Sequence, residues 1–213
     1  MKSDKETCNS IQGHEYVDLG LPSGLKWATC NVGANAPHEY GGYYAWGEVE
    51  TKREYTYENC KTIDCIEVRK GFLKKRIIDK RENFKDTARV NWGGSWRMPT
   101  KAEIQELVNN CTWTWTTQNG VNGMRVTGPN GNSIFLPAAG DCGGSSHYDD
   151  GEYGYYWSST PYESNTRYAY ILYFGYSGYR SVDWLDRSDG HTVRPVVDYL
   201  EVSSSMFIWN IPD

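Results

Sequence analysis

The sequence lacks an apolar run that could cross a membrane and lacks an apolar segment at its start. A membrane-spanning helix needs about 20 predominantly apolar residues, and the 213 residues contain no such run. The first residues, MKSDKETCNS, also lack the apolar region of a secretory signal peptide. We therefore expect no direct membrane insertion. Either the chain is used without export by that route, or a leader was removed before this numbering begins.

The chain also lacks an excess of positive charge. It carries 22 basic and 27 acidic residues, which gives a formal net charge of −5. Nucleic acids and anionic membranes attract basic surfaces, so nucleic-acid binding is not expected. The segment 69–89 is an exception, with nine basic and three acidic residues. A solvated helix face is the preferred interpretation of that run over a nucleic-acid contact.

Sequence motifs of common catalytic and cofactor sites are missing as well. The six cysteines include no CxxC pair, which argues against a zinc ribbon or a thioredoxin-like site. The four histidines are far apart and have no metal-binding spacing. No GxSxG elbow, Walker loop or dinucleotide fingerprint occurs. We expect no enzyme activity, no catalytic residue, no cofactor and no bound metal.

Two local patterns leave alternatives open. Asp141, Asp149, Asp150 and Glu152 stand in a glycine-containing stretch and could hold Ca²⁺. The EF-hand spacing is absent, so a solvated acidic loop is the preferred interpretation. Among the cysteines, those at positions 60 and 65 could close a small loop in an oxidising compartment, whereas those at 30 and 111 are expected to be free thiols packed as small apolar groups.

What is present predicts an α+β domain with many short strands. Aromatic residues make up 15% of the chain, with nine Trp, so rings should build much of the core. Thr100 and Glu103 form a capping box before an inward stripe of Ile104, Leu107 and Val108, which predicts a helix. A second helix is predicted within 51–90 from the spacing of residues 73, 77, 84 and 88. Strands are predicted at 26–30, 41–49, 113–117, 124–127, 134–137, 156–159, 169–174, 181–185 and 192–196.

Tyrosine is concentrated in one segment. Eight of the 17 tyrosines fall within the 25 positions from Tyr155 to Tyr179. Tyrosine, serine, glycine and aspartate are the residues that recognition surfaces use, because Tyr offers a large contact area with few rotatable bonds. Strand alternation predicts that Tyr170, Leu172 and Phe174 face the core. The alternative is a tyrosine-lined sheet that simply forms the core of an aromatic-rich protein.

Several stretches resemble a known family. YVDLGLPSGLKWATCNVGA, YYAWGE, NWGGSWRMPTKAEIQEL, YYWSSTPYESNT and HTVRPV are similar to the Fibrobacter succinogenes-type major paralogous domain. The resemblance implies a C-type-lectin-like fold of the formylglycine-generating-enzyme superfamily, with small twisted antiparallel sheets, one or two helices and long loops. It also implies an extension at residues 1–15, a domain at 16–197 with an insertion-like segment at 51–90 and a variable region at 156–196, and an extension at 198–213. Trp27, Trp46, Trp92, Trp96 and Trp157 would be framework residues.

The family also resembles the variable proteins of diversity-generating retroelements, in which adenines of Asn-type codons are copied unfaithfully. That resemblance implies a non-catalytic protein whose diversified face binds a macromolecular ligand, a protein or a cell-surface glycan, at a cell surface, outside the cell or on a phage particle. An AAC codon randomised at its adenines cannot give Trp or Glu, so Trp184 and Glu163 would be scaffold residues. The implied ligand-binding positions are Tyr162, Arg167, Tyr168, Ile171, Tyr173, Gly175, Tyr176, Tyr179, Ser181, Asp183, Leu185, Asp186, Ser188 and Asp189.

Two features of the related families are missing. The Glu-Pro-Asn or Gln-Pro-Asp motif of calcium-dependent lectins is absent, so the fold alone does not imply monosaccharide binding. No cysteine pair matches the oxidase site of the formylglycine-generating branch. The alternatives are an undiversified adhesin or surface subunit and, less in keeping with the residues, an enzyme of the formylglycine-generating type.

Overall fold

The computed structural model describes residues 9–70 and 72–198. The strands in the first part of the chain are β1 (Ser10–Ile11), β2 (His14–Asp18), β3 (Lys26–Ala28), β4 (Ile63–Lys70) and β5 (Phe72–Asp79). The helices are α1 (Thr87–Trp92) and α2 (Lys101–Asn110). The later strands are β6 (Thr112–Gln118), β7 (Val121–Thr127), β8 (Ser133–Pro137), β9 (Asp141–Gly143), β10 (Ser146–Tyr148), β11 (Tyr153–Pro161), β12 (Tyr168–Gly175), β13 (Arg180–Asp186) and β14 (Val196–Val197).

The strands form small antiparallel sheets, which confirms the α+β prediction. The sheet orders are β1-β2-β3-β14, β6-β7-β8 and β11-β12-β13, and two further hairpins pair β4 with β5 and β9 with β10. In the first sheet, Val196 of β14 lies opposite Trp27 of β3. β1 and the start of β2 belong to this sheet although residues 1–15 were expected to be an extension. Within the parts of the chain that the structure describes, neither helix is long and apolar enough to cross a membrane.

Helix α2 begins where its sequence predicts. The Thr100 hydroxyl accepts a hydrogen bond from the Glu103 N–H at 3.3 Å, and the Thr100 N–H donates to the Glu103 carboxylate at 2.7 Å. These two bonds satisfy backbone donors that the first helical turn cannot pair internally. Ile104 and Leu107 are buried in the core, and Val108 is partly buried against it. The predicted capping box and inward stripe are confirmed.

The helix predicted within 51–90 is wrong in its first half. Positions 73 and 77 lie on β5, which pairs with β4 in a hairpin, and only Ala88 lies on a helix, α1. The segment is rich in Ile and Val, which favour strands. The four-residue spacing of its apolar residues therefore did not indicate a helix. The segment 41–49, predicted as a strand, forms only one bridge, Tyr44 to His191. Of the strand predicted at 192–196, only Val196 is included in β14.

The core has two main parts, one on each side of the β11-β12-β13 sheet. Leu172 and Phe174 pack with α2 and the β6-β7-β8 sheet, whereas Ala169 and Ile171 pack with Trp46, Met98 and Trp157. Of the five predicted framework tryptophans, the four that are fully buried are Trp27, Trp46, Trp96 and Trp157. Trp92 is half-buried and stacks on His14.

The five cysteines in the described residues are free thiols. The loop-closing pair considered for Cys60 and Cys65 is therefore not formed. The Cys60 sulfur is buried beside the Thr62 hydroxyl and the Arg187 carbonyl, 3.6 Å from each, whereas Cys65 lies on β4. Cys30 and Cys111 are free, as expected, and Cys111 is buried.

Candidate functional site

The tyrosine-rich segment forms the three-stranded β11-β12-β13 sheet, and strand alternation sends its side chains to two faces. Tyr155, Tyr173 and Ser181 lie opposite one another across the three strands. Three residues before Tyr173 on the same strand, Tyr170 lies opposite Trp184 and points to the other side. The predicted ligand-binding positions are therefore divided between the two faces and do not form one continuous surface.

One face carries a group of five tyrosines, which we call the tyrosine face: Tyr153, Tyr155, Tyr173, Tyr176 and Tyr179. The Tyr173 ring lies at the centre, with ring centroids 5.7 Å from Tyr153, 5.2 Å from Tyr155 and 5.7 Å from Tyr179. Tyr176 lies 5.7 Å from Tyr153. Tyr176 and Tyr179, in the β12–β13 turn, are 57% and 56% exposed. Aromatic rings this exposed are typical of a partner-binding surface.

A cleft opens next to the tyrosine face. Its volume is about 220 Å³, and its lining residues are Tyr155, Ile171, Tyr173, Asp183, Trp184 and Leu185. Ile171 lies in the underlying core and is 1% exposed, so it forms the floor. Larger clefts of about 280–370 Å³ lie elsewhere, and each has only one Phe or Trp among its lining residues. We favour the smaller cleft as a binding site because Tyr155, Tyr173 and Asp183, all on the tyrosine-face side of the sheet, line it.

The opposite face carries a second aromatic group, the Trp184 cluster, which consists of Tyr162, Tyr168, Tyr170 and Trp184. The Tyr162 ring stacks on Trp184 with centroids 5.0 Å apart, and Tyr168 lies 4.7 Å from Trp184. The Lys101 ammonium from α2 lies 3.8 Å from the centre of the Tyr170 ring. Trp184 is 39% exposed. We place the candidate site on the tyrosine face, because Tyr176 and Tyr179 are more exposed than Trp184.

Arg167 and Asp186 form an ion pair at the end of the sheet. The guanidinium donates two hydrogen bonds to the carboxylate, one of them from Nη2 to Oδ2 at 2.7 Å. Hydrogen bonding to Asp186 raises the pKa of Arg167. The Arg167 guanidinium also lies 4.9 Å from the centre of the Tyr57 ring. Both partners are thus engaged within the protein, although the sequence placed both in the ligand-binding set.

The segment that follows β13 holds the sheet in place from beneath. The Trp157 N–H donates to the Thr192 carbonyl, and the buried His191 ring lies 4.4 Å from the Trp157 ring. Burial lowers the pKa of His191 to about 3, so this side chain is neutral. Arg194 is buried and donates to the Asn31 side chain and to the carbonyls of residues 28, 29 and 135, at 2.7–3.0 Å. The ending HTVRPV is therefore a structural anchor beneath the candidate site.

Carboxylates accumulate on the tyrosine-face side of the sheet. The Tyr155 hydroxyl donates to Asp149 at 2.7 Å. Burial and the neighbouring Asp149 and Asp150 raise the pKa of Asp141 to about 6. Burial, Asp186 and Asp141 raise the pKa of Asp189 to about 7. Within the described residues, no group of His, Cys, Asp or Glu is arranged to hold a metal ion, so the Ca²⁺ alternative gains no support.

Comparison with protein families gives one match. The model of the Lcl C-terminal domain matches residues 20–197. The chain belongs to this family. No curated protein and no solved structure matches the chain.

In this member of the Lcl C-terminal domain family, the predicted ligand-binding positions differ widely in exposure. Tyr176, Tyr179 and Asp183 are exposed. Eight are partly exposed: Tyr162, Arg167, Tyr168, Tyr173, Ser181, Leu185, Asp186 and Asp189. The remaining three, Ile171, Gly175 and Ser188, are buried, so these members of the predicted ligand-binding set do not lie on an exposed face.

Each buried position has a local cause. Ile171 is covered by the core around Trp157. A Cβ at Gly175 would lie 2.7 Å from the ring of Tyr153, so a larger residue there requires the ring to move. Ser188 is 2% exposed in the segment that leads to the buried ending. Leu172 and Phe174 face the core as predicted, whereas Tyr170 is only half-buried because it lies in the Trp184 cluster.

The sequence prediction missed three residues of the site. Tyr153 and Tyr155 lie on β11, outside the segment assigned to ligand binding, although their alternation with the buried Tyr156 was a usable signal. Trp184 was set aside by the codon argument, yet it lines the cleft. Which residues border a cleft depends on the pairing of three strands, and one strand's pattern cannot show that.

Proposed function

We propose that the protein is a non-catalytic, macromolecule-binding protein whose tyrosine face is a diversified surface of the retroelement variable type, displayed on a C-type-lectin-like fold. The observation that carries the proposal is the convergence of five tyrosines beside a cleft floored by the core. Membership of the Lcl C-terminal domain family is compatible with variable-type binding proteins. The small antiparallel sheets, two helices and long loops are in keeping with the proposed fold.

The separation of display residues from scaffold supports a surface that tolerates change. Tyr176, Tyr179 and Asp183 are exposed and contribute nothing to the two main core clusters. The scaffold beneath them is held by Trp157, Arg194 and the rest of the ending, all buried. Substitutions at exposed positions away from caps and ion pairs change stability by only about 0.5 kcal/mol, so the display positions can vary while the fold persists.

The thiol environments favour binding over catalysis. A reactive cysteine needs a lowered pKa. Burial instead raises the pKa of Cys60, and it raises the pKa of Cys111 to about 11 and that of Cys142 to about 12. An oxidase of the formylglycine-generating type is therefore a poor fit to these three positions. The ligand would be a protein or a cell-surface glycan, and the site of action a cell surface, the extracellular medium or a phage particle.

A display library tests the proposal. Positions 173, 176, 179, 181 and 183 are randomised together, and a control library randomises Ala102, Gln105, Asn109 and Asn110, which are exposed on α2. Both libraries should stay folded, but only the first should yield binders to a purified target such as lysozyme. Loss of folding in most tyrosine-face variants, or equal yields from the two libraries, contradicts the proposal.

An undiversified adhesin subunit is the second candidate function, favoured by the burial of Ile171, Gly175 and Ser188, which reduces the number of positions free to vary. The neighbourhood of the gene separates the two. Diversification requires a near-copy of the variable segment with AAC codons at the varied positions and a reverse transcriptase close by. If neither is present, the adhesin function stands in its place.

A further inference from the structure

The two faces of the β11-β12-β13 sheet differ in the sign of their charge. Two basic side chains contact rings of the Trp184 cluster, Lys101 over Tyr170 and Arg167 beside Tyr168, and Arg180 of β13 lies beside Trp113 of the neighbouring β6-β7-β8 sheet. Of the described residues that line the cleft, none is basic. The aromatic surface on that side is therefore negatively charged without a compensating cation in its lining.

Carboxylates approach the tyrosine face from two directions. Asp183 lines the cleft, and its carboxylate accepts a hydrogen bond from the backbone N–H of Trp184 at 2.8 Å. Asp149 accepts the Tyr155 hydroxyl from the other side. Burial, the neighbouring Tyr153 and then Asp149 raise the pKa of Tyr173, with a smaller contribution from Asp183. Tyr173 thus shares the cleft with Asp183, and the Tyr155 ring beside it is bonded to Asp149.

The geometry of the rings suits a cation. The Tyr155 and Tyr173 rings touch each other, with centroids 5.2 Å apart and planes tilted by 43°, and both residues line the cleft, so a side chain in the cleft lies against the rings. A Lys ammonium or Arg guanidinium within about 6 Å of such a ring is attracted by its π-electrons. A carboxylate beside the rings adds a charge-assisted hydrogen bond. A neutral apolar ligand would gain neither interaction and would leave Asp183 poorly solvated.

We propose that the cleft binds one lysine or arginine side chain of a basic protein partner, held against the Tyr155 and Tyr173 rings with its charge on Asp183. The inference rests on the proposed binding function and adds the chemical class of the ligand. The volume of about 220 Å³ is below the roughly 300–1,000 Å³ of sites for small molecules. The exposed Tyr176 and Tyr179 beyond the cleft would contact the partner around the inserted side chain.

Nuclear magnetic resonance titration of the whole chain with short peptides tests the proposal. The probes are Gly-Lys-Gly and Gly-Arg-Gly with blocked ends, and the same peptides with acetyl-lysine or norleucine in the centre. The charged peptides should shift the amide signals of Tyr155, Tyr173 and Asp183 in a saturable manner. The neutral peptides should bind at least about tenfold more weakly, and added salt should weaken the charged peptides because it screens the attraction.

Matched variants connect the binding to the cleft. Asp183→Asn should weaken the Lys peptide at least about fivefold. Glu163→Gln, which removes an exposed carboxylate outside the cleft and changes the net charge equally, should leave it unchanged. Equal binding of the acetylated peptide, signal shifts elsewhere, or equal effects of the two variants overturn the proposal. Tighter binding of free choline than of the Lys peptide also overturns it, in favour of a small quaternary ammonium ligand.

The two proposals fail separately. If the tyrosine-face library stays folded and yields binders while the peptides show no preference for charge, the cation site is wrong and the display surface stands. If the library collapses, the display function is wrong regardless of the peptide result.

Discussion

Replacing Trp157 by alanine should remove a large part of the protein's stability. The Trp157 side chain is fully buried, and its indole N–H donates to the Tyr44 carbonyl at 2.7 Å. Truncation of a buried Trp costs about 3–5 kcal/mol. The Tyr44 carbonyl, left without its hydrogen-bond donor, adds about 1 kcal/mol or more to this loss of stability. We therefore expect a loss of about 4–6 kcal/mol, against a total stability on the order of 5–15 kcal/mol for a domain.

Trp184→Ala is the matched control, because it removes the same atoms from a position that is 39% exposed. It should cost about 1 kcal/mol, since surface changes have small effects. Urea denaturation followed by circular dichroism gives the unfolding free energy of each variant. Trp157→Phe keeps a ring and removes the N–H, so it should cost about 1–3 kcal/mol and remain measurable if the alanine variant does not fold. Equal losses for Trp157→Ala and Trp184→Ala, or a loss under about 1.5 kcal/mol for Trp157→Ala, refute this placement of the core.

Two further outcomes follow from the carboxylates. Because the pKa of Asp189 is raised from 3.8 to about 7, the folded state holds this proton more tightly than the unfolded state, so stability should fall as pH rises through that window. Asp189→Asn should flatten the fall and raise the melting temperature at pH 8, and an unchanged pH profile by calorimetry contradicts the assignment. Ca²⁺ bound near Asp141 or Asp149 would stabilise the fold by mass action, so its removal would lower the melting temperature. Since we expect no bound metal, excess EDTA should leave the melting temperature unchanged. A clear drop on chelation contradicts that expectation.

The sequence was most informative where a short motif fixes local geometry. The Thr100–Glu103 capping box marked the start of α2, and alternation marked β6, β7, β8 and β12. Local spacing misled in 51–90, because positions 73 and 77, although four residues apart, lie on a strand that pairs with β4 in a hairpin. A strand's partner is a non-local property, and the residue pattern of one segment does not contain it.

The candidate site was predictable in composition and less so in arrangement. Strand alternation correctly predicted that Leu172 and Phe174 face the core. It could not show that Ile171 and Tyr173, which point to the same side, differ in burial: Ile171 lies within the core around Trp157, whereas Tyr173 packs against its edge. Nor could it show that Tyr162 and Tyr179 belong to opposite faces, since that depends on how β13 pairs with β12.

Any variant of the segment before β14 can complete the first sheet only if β14 is present to pair with β3. Val196 lies opposite Trp27, and Arg194 donates to the carbonyls of residues 28 and 29, so the first sheet is incomplete until residues 194–197 have been synthesised. A frameshift or stop codon anywhere in 156–190 removes those residues and leaves Trp27 and Asn31 without their partners. Such a chain should fail to fold and be cleared by cellular proteases. Folding therefore depends on residues 194–197, so that the tyrosine face is presented only by chains translated to the end of the domain.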